Sequence, residues 1–422
     1  MLLRYALPAL ALLLPPALAA QATVEVVADG LAGPIGVAVG PDGRVWTAEA
    51  GSGNDDGRVS ALVDGALVPV ITGLPSVGFD GEVDGTAHLL FHGGSLWVVG
   101  GAGPDPAFDL LRYDLSGIAV GGAALGPDDA DAQHNVGAWV LAEGFAESNV
   151  YDAAPGPDGA LVLSDAAANA VLRFRPGADT AVVATLASVQ AGGTPPVADA
   201  VPTGLLADGD GFLVGTLTGF PFSAGAASVV RVGADGAVAE RHNGLTLVTD
   251  LARDPRDGHV VALEFGRHRL PNGFLPATGR IVKLLDDGAE EVVADGLNLA
   301  TGLAFASDGA LYVTSLFGQL LKISFAPTAG EDSPTGAGVA LAAAPNPFAA
   351  ATALSFTLGG PSDVRLAVYD ALGREVALLA EGPRAAGPHM VRLDGAALAA
   401  GVYVARLVAA GGAESVTVVR AR

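Results

Sequence analysis

The sequence contains no cysteine. Disulfide bonds and thiol chemistry are therefore excluded, and stability must come from a large core. Basic residues are also scarce: 22 lysines and arginines stand against 45 aspartates and glutamates, and Lys283 and Lys322 are the only lysines. This charge balance argues against nucleic acid as a partner and gives little reason to expect binding to an anionic membrane surface.

Long apolar runs are missing beyond the N-terminus, which predicts no membrane-spanning segment in the mature protein. Residues 1–20 combine the basic Arg4, a Leu/Ala run and a small-x-small ending. This is the pattern of a cleaved signal peptide. We therefore expect the mature protein to be secreted, and either released or attached at the outer cell surface.

A seven-residue identity shows that the chain repeats. EVVADGL occurs at Glu25–Leu31 and again at Glu291–Leu297, each time before a strand, an Asp-Gly turn and a second strand. Asp-Gly between apolar runs is a strong hairpin signal. The turn glycines recur 47 to 65 residues apart, at Gly43, Gly94, Gly159, Gly211, Gly258 and Gly309. Six such units predict an all-β fold, a six-bladed β-propeller over residues 21–325.

The two ends of the repeat region complement each other. The sixth unit stops after Gln319–Phe325 and lacks an outer strand, whereas Val24–Ala28 is an extra strand before the first unit. We expect this N-terminal strand to complete the sixth blade and close the ring, which leaves no open edge between the first and last blades. We expect the protein to be a monomer.

The composition changes after the ring. Residues 326–344 are small and rich in Pro and Gly, which is typical of a linker. Residues 345–422 contain short apolar strands at close spacing, which predicts a small Ig-like β-sandwich.

Motifs in this C-terminal segment resemble the type A sorting domain of bacterial type IX secretion. They are PNPF (Pro345–Phe348), VYDALGREV (Val368–Val376) and LAAGVYVARL (Leu398–Leu407). The resemblance implies that the type IX secretion machinery is a partner and that the protein crosses the outer membrane.

The ring resembles the ScyD/ScyE family of propellers, which is related to NHL and gluconolactonase-type propellers. The matching segments are Gly30–Gly51, Ser148–Phe174, Ala200–Val232 with its Gly-Phe-Pro-Phe loop, and Gly244–Pro255. The resemblance implies a fold without a settled reaction.

Metal-dependent propeller lactonases suggest one site. Such enzymes hold Ca²⁺ or another divalent cation in the central channel with oxygen ligands just before the innermost strands. The residues at those positions here are Ile35, Ala87, Tyr151, Thr203, Thr249 and Thr301. None is a carboxylate or an amide, so a cation site requires Asp152 or Asp250, each one position later, to turn inward.

A second set of carboxylates shares one register. Glu49, Asp165 and Glu264 each stand six residues after a turn glycine. If they face the channel, they form an acidic ring that could bind a cation. The alternative is that each accepts hydrogen bonds from backbone N–H groups in the loop that follows it. We interpret His88 and His92 as packing or surface residues.

The loop around Phe220, Pro221 and Phe222 is apolar and stiff. Its phenylalanines either pack against a neighbouring blade or line a ligand pocket at the channel mouth, where Tyr151, Thr203 and Thr301 are further candidate ligand contacts. The sequence favours a ligand-binding or accessory protein at the cell surface. The alternatives are a cation-dependent lactonase or hydrolase, and a scaffold that binds protein or polysaccharide.

Overall fold

The computed structural model describes residues 22–79, 82–100 and 108–325, followed by 341–344, 346, 348, 351–358, 360–369, 374–385, 387–399, 401–409 and 412–420. The predicted signal peptide and most of the predicted linker lie outside these ranges. The chain divides into two compact units, Met1–Pro327 and Thr328–Arg422.

Within the described residues, the first unit contains six four-stranded antiparallel sheets, named I to VI. From the innermost strand outwards, sheet I consists of β2 (Pro34–Val39), β3 (Val45–Glu49), β4 (Gly57–Val63) and β5 (Ala66–Leu74), and sheet II of β8 (His88–His92), β9 (Ser95–Val99), β10 (Leu110–Asp114) and β11 (Ala132–His134). In the same order, sheet III consists of β12 (Val150–Pro155), β13 (Leu161–Asp165), β14 (Ala170–Phe174) and β15 (Ala181–Thr185), and sheet IV of β18 (Pro202–Asp208), β19 (Gly211–Thr216), β20 (Ala227–Val232) and β21 (Val238–Leu245). Sheet V consists of β22 (Val248–Arg253), β23 (Val260–Glu264), β26 (Gly279–Leu284) and β27 (Glu290–Leu297), and sheet VI of β28 (Ala300–Phe305), β29 (Leu311–Ser315), β30 (Gln319–Ser324) and β1 (Thr23–Ala28).

Smaller elements lie in the connections between these sheets or between strands of one sheet. Three two-stranded ribbons are β6 (Val77–Phe79) with β7 (Glu82–Asp84), β16 (Val189–Gln190) with β17 (Val197–Ala198), and, between two strands of sheet V, β24 (Arg267–Arg269) with β25 (Gly273–Leu275). One α-helix, α1 (Val136–Ala142), follows sheet II, and 3₁₀ turns lie at Leu115–Gly117, Pro127–Asp129, Pro157–Gly159 and, in the second unit, Gly395–Ala397.

The predicted Asp-Gly hairpins are present. Gly43 and Gly309 both adopt a φ of +80°, a conformation that favours glycine. The preceding aspartates fix the turns, because Asp42 accepts a hydrogen bond from the Arg44 N–H (3.1 Å) and Asp308 accepts one from the Ala310 N–H (3.0 Å).

The six innermost strands contact one another in cyclic order, with β28 returning to β2. Each pair of neighbouring sheets packs across its own apolar core, for example around Tyr113 between sheets I and II and around Val214 between sheets III and IV. The N-terminal strand β1 pairs with β30 as the outermost strand of sheet VI, from Thr23 opposite Ser324 onwards.

The second unit has a three-stranded and a four-stranded sheet that share one apolar core, which includes Phe348, Leu366 and Val418. The strands are β31 (Leu341–Ala344), β32 (Ala351–Leu358) and β35 (Gly387–Asp394) in the first sheet, and β33 (Ser362–Tyr369), β34 (Glu375–Arg384), β36 (Gly401–Ala409) and β37 (Gly412–Arg420) in the second. Strand β31 lies within the segment that the sequence assigns to the linker.

Two described residues of the PNPF motif, Asn346 and Phe348, contact the last strand or the core of this unit. The Asn346 side chain donates to the Thr417 carbonyl (2.7 Å) and accepts from the Val419 N–H (2.8 Å), while the Phe348 ring is buried in the core. Within the described ranges, no helix is long and apolar enough to cross a membrane.

Candidate functional site

The candidate site occupies one equivalent position in the innermost strands, one residue later than the position examined in the sequence. Around the ring this position holds Gly36, His88, Asp152, Gly204, Asp250 and Gly302. In five of the six sheets the pairing register between the first two strands shifts here. Such irregularities re-aim side chains, so strand alternation alone does not predict their direction.

Three of these side chains converge. A ring nitrogen of His88 and carboxylate oxygens of Asp152 and Asp250 all lie within 4.8 Å of one another. All three residues are buried, with exposed fractions of 4%, 6% and 5%. In the part of the chain that the structure describes, this is the one group of three or more His, Asp or Glu side chains with metal-binding spacing.

The glycines at the other three positions are required by close strand packing. A Cβ at Gly204 would lie 2.5 Å from Asp250 Cα, and a Cβ at Gly36 would lie 2.5 Å from the Ala87 carbonyl oxygen. A Cβ at Gly302 would likewise lie 2.5 Å from a backbone oxygen, that of Ile35. Side chains can therefore enter the cluster only from sheets II, III and V.

Both aspartates are held by the same hydrogen bonds. Asp152 Oδ1 accepts from the Ala153 N–H and Oδ2 accepts from the Leu205 N–H of sheet IV, both at 2.7 Å. Asp250 repeats the pattern with Leu251 and with Leu303 of sheet VI, again at 2.7 Å. Each carboxylate is fixed between two sheets, and each oxygen retains a lone pair for a further partner.

Burial dominates the electrostatics of the cluster. Burial raises the pKa of Asp250 to about 7, His88 opposes that rise, and the charge of Asp152 adds to it. Burial also raises the pKa of Asp152, against the opposing effect of His88. The Tyr151 ring lies 4.9 Å from the His88 ring, and burial and the two carboxylates raise the pKa of its phenol, which therefore stays protonated.

The second ring nitrogen of the imidazole has no partner. His88 Nδ1 lies 3.4 Å from Asp152 Oδ1, whereas Nε2 is buried and makes no hydrogen bond within the described structure. A buried polar atom without a partner is uncommon and calls for a role. The sequence interpretation of His88 as a packing or surface residue missed this. The signal was available, because His88 occupies the same repeat position as Asp152 and Asp250.

Glu49, Asp165 and Glu264 are buried but not brought together. Each accepts a hydrogen bond from a backbone N–H just before the innermost strand of its own sheet: Ala32 (2.8 Å), Asn149 (2.8 Å) and Thr246 (2.7 Å), respectively. The glutamates also pair with arginines, Glu49 with Arg58 and Glu264 with Arg280. The three carboxylates thus serve local hydrogen bonds within their own sheets, but the shared donors lie before the innermost strand and not in the following loop that the sequence suggested. Within the described residues, only Asp165 also accepts from its following loop, from the Ala168 N–H (3.0 Å).

The threonines that precede the cluster position tie neighbouring sheets together. The hydroxyl of Thr203 donates to the Val248 carbonyl (2.7 Å), that of Thr249 to Ala300 (3.1 Å), and that of Thr301 to Pro34 (2.9 Å). The sequence suggested Thr203 and Thr301 as ligand contacts, but their hydroxyl groups already donate hydrogen bonds within the fold.

The two phenylalanines of the Phe220–Phe222 loop have different surroundings. The Phe222 ring packs 5.1 Å from both His268 and Phe274 of the neighbouring sheet's ribbon. Phe220 stays 48% exposed, and Pro221 between them is half-buried. The Phe220 ring also meets Phe222 and His268 edge-on, with ring centroids 6.1 and 6.5 Å apart, so both phenylalanines take part in the packing and Phe220 remains the more exposed.

Comparison with protein-family models finds no match, and comparison with curated proteins finds none either. Among solved structures, the chain is similar to a putative gluconolactonase (18% identity, 72% of this chain and 92% of that one, TM-score 0.45). It is also similar to a gluconolactonase from Xanthomonas campestris (14% identity, 72% of this chain and 90% of that one, TM-score 0.47). A third similar structure is a virginiamycin B lyase from Staphylococcus aureus (12% identity, 72% of this chain and 100% of that one, TM-score 0.43). These neighbours are β-propellers, and likeness at this level does not extend to activity.

Proposed function

We propose that the centre of the ring binds one divalent cation through His88, Asp152 and Asp250, and that the protein uses this ion to hold a small ligand rich in oxygen atoms. The convergence of these three side chains within 4.8 Å supports the proposal. The imidazole of His88 is buried and its Nε2 makes no hydrogen bond within the described residues, so one ring nitrogen is not used by the fold.

The donor set favours a particular class of ion. One imidazole nitrogen and two carboxylate oxygens suit Zn²⁺, Mn²⁺ or another transition metal, whereas Ca²⁺ takes six to eight oxygen ligands. Three protein ligands leave coordination positions for a ligand or water. Of the divalent cations that the sequence left open, Ca²⁺ among them, this donor set favours a transition metal.

Hydrolysis of a lactone or related ester is the second candidate function. A bound ion would supply the Lewis acidity that polarises a carbonyl and activates water. Within the chain, the protonated Tyr151 phenol beside His88 can donate a hydrogen bond to an oxygen of the ligand. Turnover of a lactone panel that is lost with a chelator and in Asp250→Asn would distinguish enzyme from binder.

Calorimetric titration of the chelator-treated protein with Zn²⁺, Mn²⁺ and Ca²⁺ tests the proposal. We expect one transition-metal ion per chain, a much weaker response to Ca²⁺, and at least 100-fold weaker binding in Asp250→Asn. Asp158→Asn, at an exposed turn, is the folding control, and Glu49→Gln separates the cluster from the other carboxylates. No binding by the wild type, or unchanged binding by Asp250→Asn, would refute the site.

We further propose that the first unit is a six-bladed propeller of the ScyD/ScyE type, closed by β1. We propose that the protein is a monomer and that it is exported by type IX secretion. The six sheets in cyclic contact and the β1–β30 pairing support the architecture. The PNPF motif and the two-sheet second unit support a sorting sandwich at residues 345–422. Mass spectrometry of the secreted protein tests export, since it should begin at Gln21. Fusion of residues 345–422 to a reporter tests sorting.

A further inference from the structure

An open cavity of about 390 Å³ lies between the end of β1 in sheet VI and strands β4 and β5 of sheet I. Residues 27–31 line it on the sheet VI side, and Leu67 of β5 lines it on the sheet I side. Glu49, Arg58 and Ser60 supply most of its polar side chains. Its volume falls within the range of small-molecule sites. We call it the β1 cavity.

An ion pair forms the centre of this polar lining. Arg58 donates to both oxygens of the buried Glu49, from Nε (2.8 Å) and from Nη2 (2.6 Å). A guanidinium group carries five N–H donors, so three remain, and they make no hydrogen bond within the described residues. The Glu49 oxygens also accept from the Ala32 N–H and the Ser60 hydroxyl. The pair therefore has donors for a ligand and little capacity to accept from one.

Sheet V contains the same ion pair in the same register, and there the arginine has a second acid. Glu264 stands opposite Arg280 as Glu49 stands opposite Arg58. Arg280 pairs with Glu264 and also, through Nη2, with the carboxylate of Glu290 on β27 (3.5 Å). A guanidinium group in this setting thus binds a second carboxylate from the side of the outermost strand.

The position of this second acid is held by an apolar residue in sheet I. Glu290 is paired with the residue four positions after Arg280, and Leu67 is paired with the residue four positions after Arg58. Leu67 therefore occupies in sheet I the position of Glu290 in sheet V, and Arg58 lacks the second carboxylate that Arg280 has.

The strand on the other side of each junction differs in the same way. Burial lowers the pKa of His242 on β21, and the charge of Glu290 opposes that change, which places the two side chains near each other. His242 precedes an Asn-Gly-Leu segment, and Ala28 precedes the matching Asp-Gly-Leu segment at the end of β1. The two side chains at the junction of sheets IV and V thus correspond to Ala28 and Leu67, where the β1 cavity lies.

We propose that the β1 cavity binds the carboxylate of a small organic acid, which takes beside Arg58 the place that Glu290 takes beside Arg280. The unused N–H groups of Arg58 donate to the carboxylate. Leu67 and Pro69, which line the cavity, contact the apolar part of the acid. None of the three residues of the proposed metal site lines this cavity, so the inference goes beyond the proposed function and does not depend on it.

Two further acidic side chains lie near the cavity. Asp29 lines it and is exposed, and the charge of Asp56 adds to the hydrogen bonds of Glu49 in raising the pKa of Arg58. Neither makes an ion pair with Arg58 within the described residues. Arg280 pairs with two acids in the same chain, so negative charge nearby does not exclude an anion at Arg58.

Titration of the metal-free full chain with benzoate and 2-naphthoate, and with their uncharged amides, tests the proposal. We expect one saturable site for at least one carboxylate, with at least 10-fold tighter binding than for its amide. Leu67→Glu supplies the acid that sheet V has and should weaken carboxylate binding at least 10-fold, while Arg58 and Glu49 stay in place. Leu67→Gln, which has a similar size and no charge, is the matched control and should bind within threefold of the wild type. Thermal unfolding shows that each variant is folded.

The converse substitution tests the comparison of the two sheets. Glu290→Leu together with His242→Ala should open the equivalent space beside Arg280 and add a second carboxylate site to each chain. An unchanged number of sites would contradict the equivalence of the two junctions and overturn the proposal. Equal affinity for carboxylate and amide, unchanged binding in Leu67→Glu, or no saturable binding of either carboxylate would also overturn it. Asp250→Asn should lose metal but keep the carboxylate site, so failure of the metal site and failure of the β1 cavity remain distinguishable.

Discussion

His88 and Asp152 belong to neighbouring sheets, and Nδ1 of the imidazole lies 3.4 Å from Oδ1 of the carboxylate. A carboxylate oxygen of the buried Asp250 lies within 4.8 Å of a ring nitrogen of His88 and of an oxygen of Asp152. A buried imidazole with one unpartnered nitrogen and two buried carboxylates are costly for folding alone. We infer that stability is lost here in favour of binding, as is common at functional sites.

Replacement of His88 by Phe tests this balance. The ring keeps its approximate volume and loses the unpartnered Nε2, so the metal-free variant should unfold at the wild-type temperature or above it, while cation binding is lost. His88→Ala instead leaves a cavity and should cost about 2 kcal/mol of unfolding free energy. Thermal unfolding with a chelator present measures both, and a Phe variant less stable than the Ala variant would contradict the argument.

Gly204→Ala should disturb the cluster from a neighbouring strand. The added Cβ would lie 2.5 Å from Asp250 Cα and 2.7 Å from the Leu251 nitrogen. We expect a loss of about 1–3 kcal/mol from overpacking and a 10-fold or greater loss of cation affinity. Gly117→Ala, at a glycine with nothing within 4 Å of its Cβ position, is the control and should change neither quantity.

Arg280 should matter for stability and not for cation binding. Its guanidinium pairs with Glu264, whose side chain is only 3% exposed. Arg280→Met leaves that buried carboxylate without a cationic partner, with only the Thr246 N–H of the described residues donating to it, and should cost about 3 kcal/mol. Glu264→Gln in the same chain should restore part of the loss. Denaturant titration gives the stability. A large fall in cation affinity would instead indicate that Glu264 is itself a ligand of the cation.

Asp109 gives a pH dependence whose sign follows from burial. Burial raises its pKa to about 6, although the carboxylate accepts hydrogen bonds from the Val136 and Gly137 N–H groups. The folded protein therefore binds this proton more tightly than the unfolded chain. The contribution of Asp109 to stability is greatest below its unfolded pKa of about 4 and is lost as the pH rises through 6.

We therefore compare unfolding free energies of the wild type and Asp109→Asn between pH 4 and 8. The difference between the two proteins should change in favour of the variant as the pH rises. Burial lowers the pKa of His134 and His242, which gives the opposite slope in both proteins and cancels in the comparison. A pH-independent difference would show that Asp109 keeps its ordinary pKa when folded.

Phe348→Ala should destabilise the second unit alone. The ring is 2% exposed within that unit's core, so its loss should cost about 3 kcal/mol. Calorimetry of the whole chain should show an earlier transition for the second unit and an unchanged one for the first, because the units have separate cores. Met390→Ala, at a side chain that is 74% exposed, should leave both transitions in place.

Much of the fold was predictable because its signals are local. The Asp-Gly turns with Gly43 and Gly309 at positive φ follow from residues adjacent in sequence. The strand β1 was predictable from repetition, because the segment before the first turn matches the segment before the last. The strand Leu341–Ala344 was not, since an Ala-rich segment has little strand preference of its own and gains it by pairing with β32.

The candidate site was only partly predictable. Asp152 and Asp250 were identified as residues that would have to turn inward, whereas His88 was read as a packing or surface residue. Glu49, Asp165 and Glu264 share a register as regular as that of the cluster, yet their oxygens are taken by nearby N–H groups and arginines. A shared register therefore does not distinguish a carboxylate that could bind a metal ion from one that accepts hydrogen bonds within its own sheet.

The sequence by itself determined the repeat, the turns and the hairpins of each sheet, because these depend on contacts between residues close along the chain. The distant pairing of β1 with β30 was marked by the repeated EVVADGL segment. Only the tertiary structure decided which side chains meet at the centre. The register shifts at Asp152 and Asp250 set the direction of those side chains, and the cyclic order of the sheets brings them to His88 from 64 and 162 residues away. Such distant contacts depend on packing geometry, which no local pattern encodes.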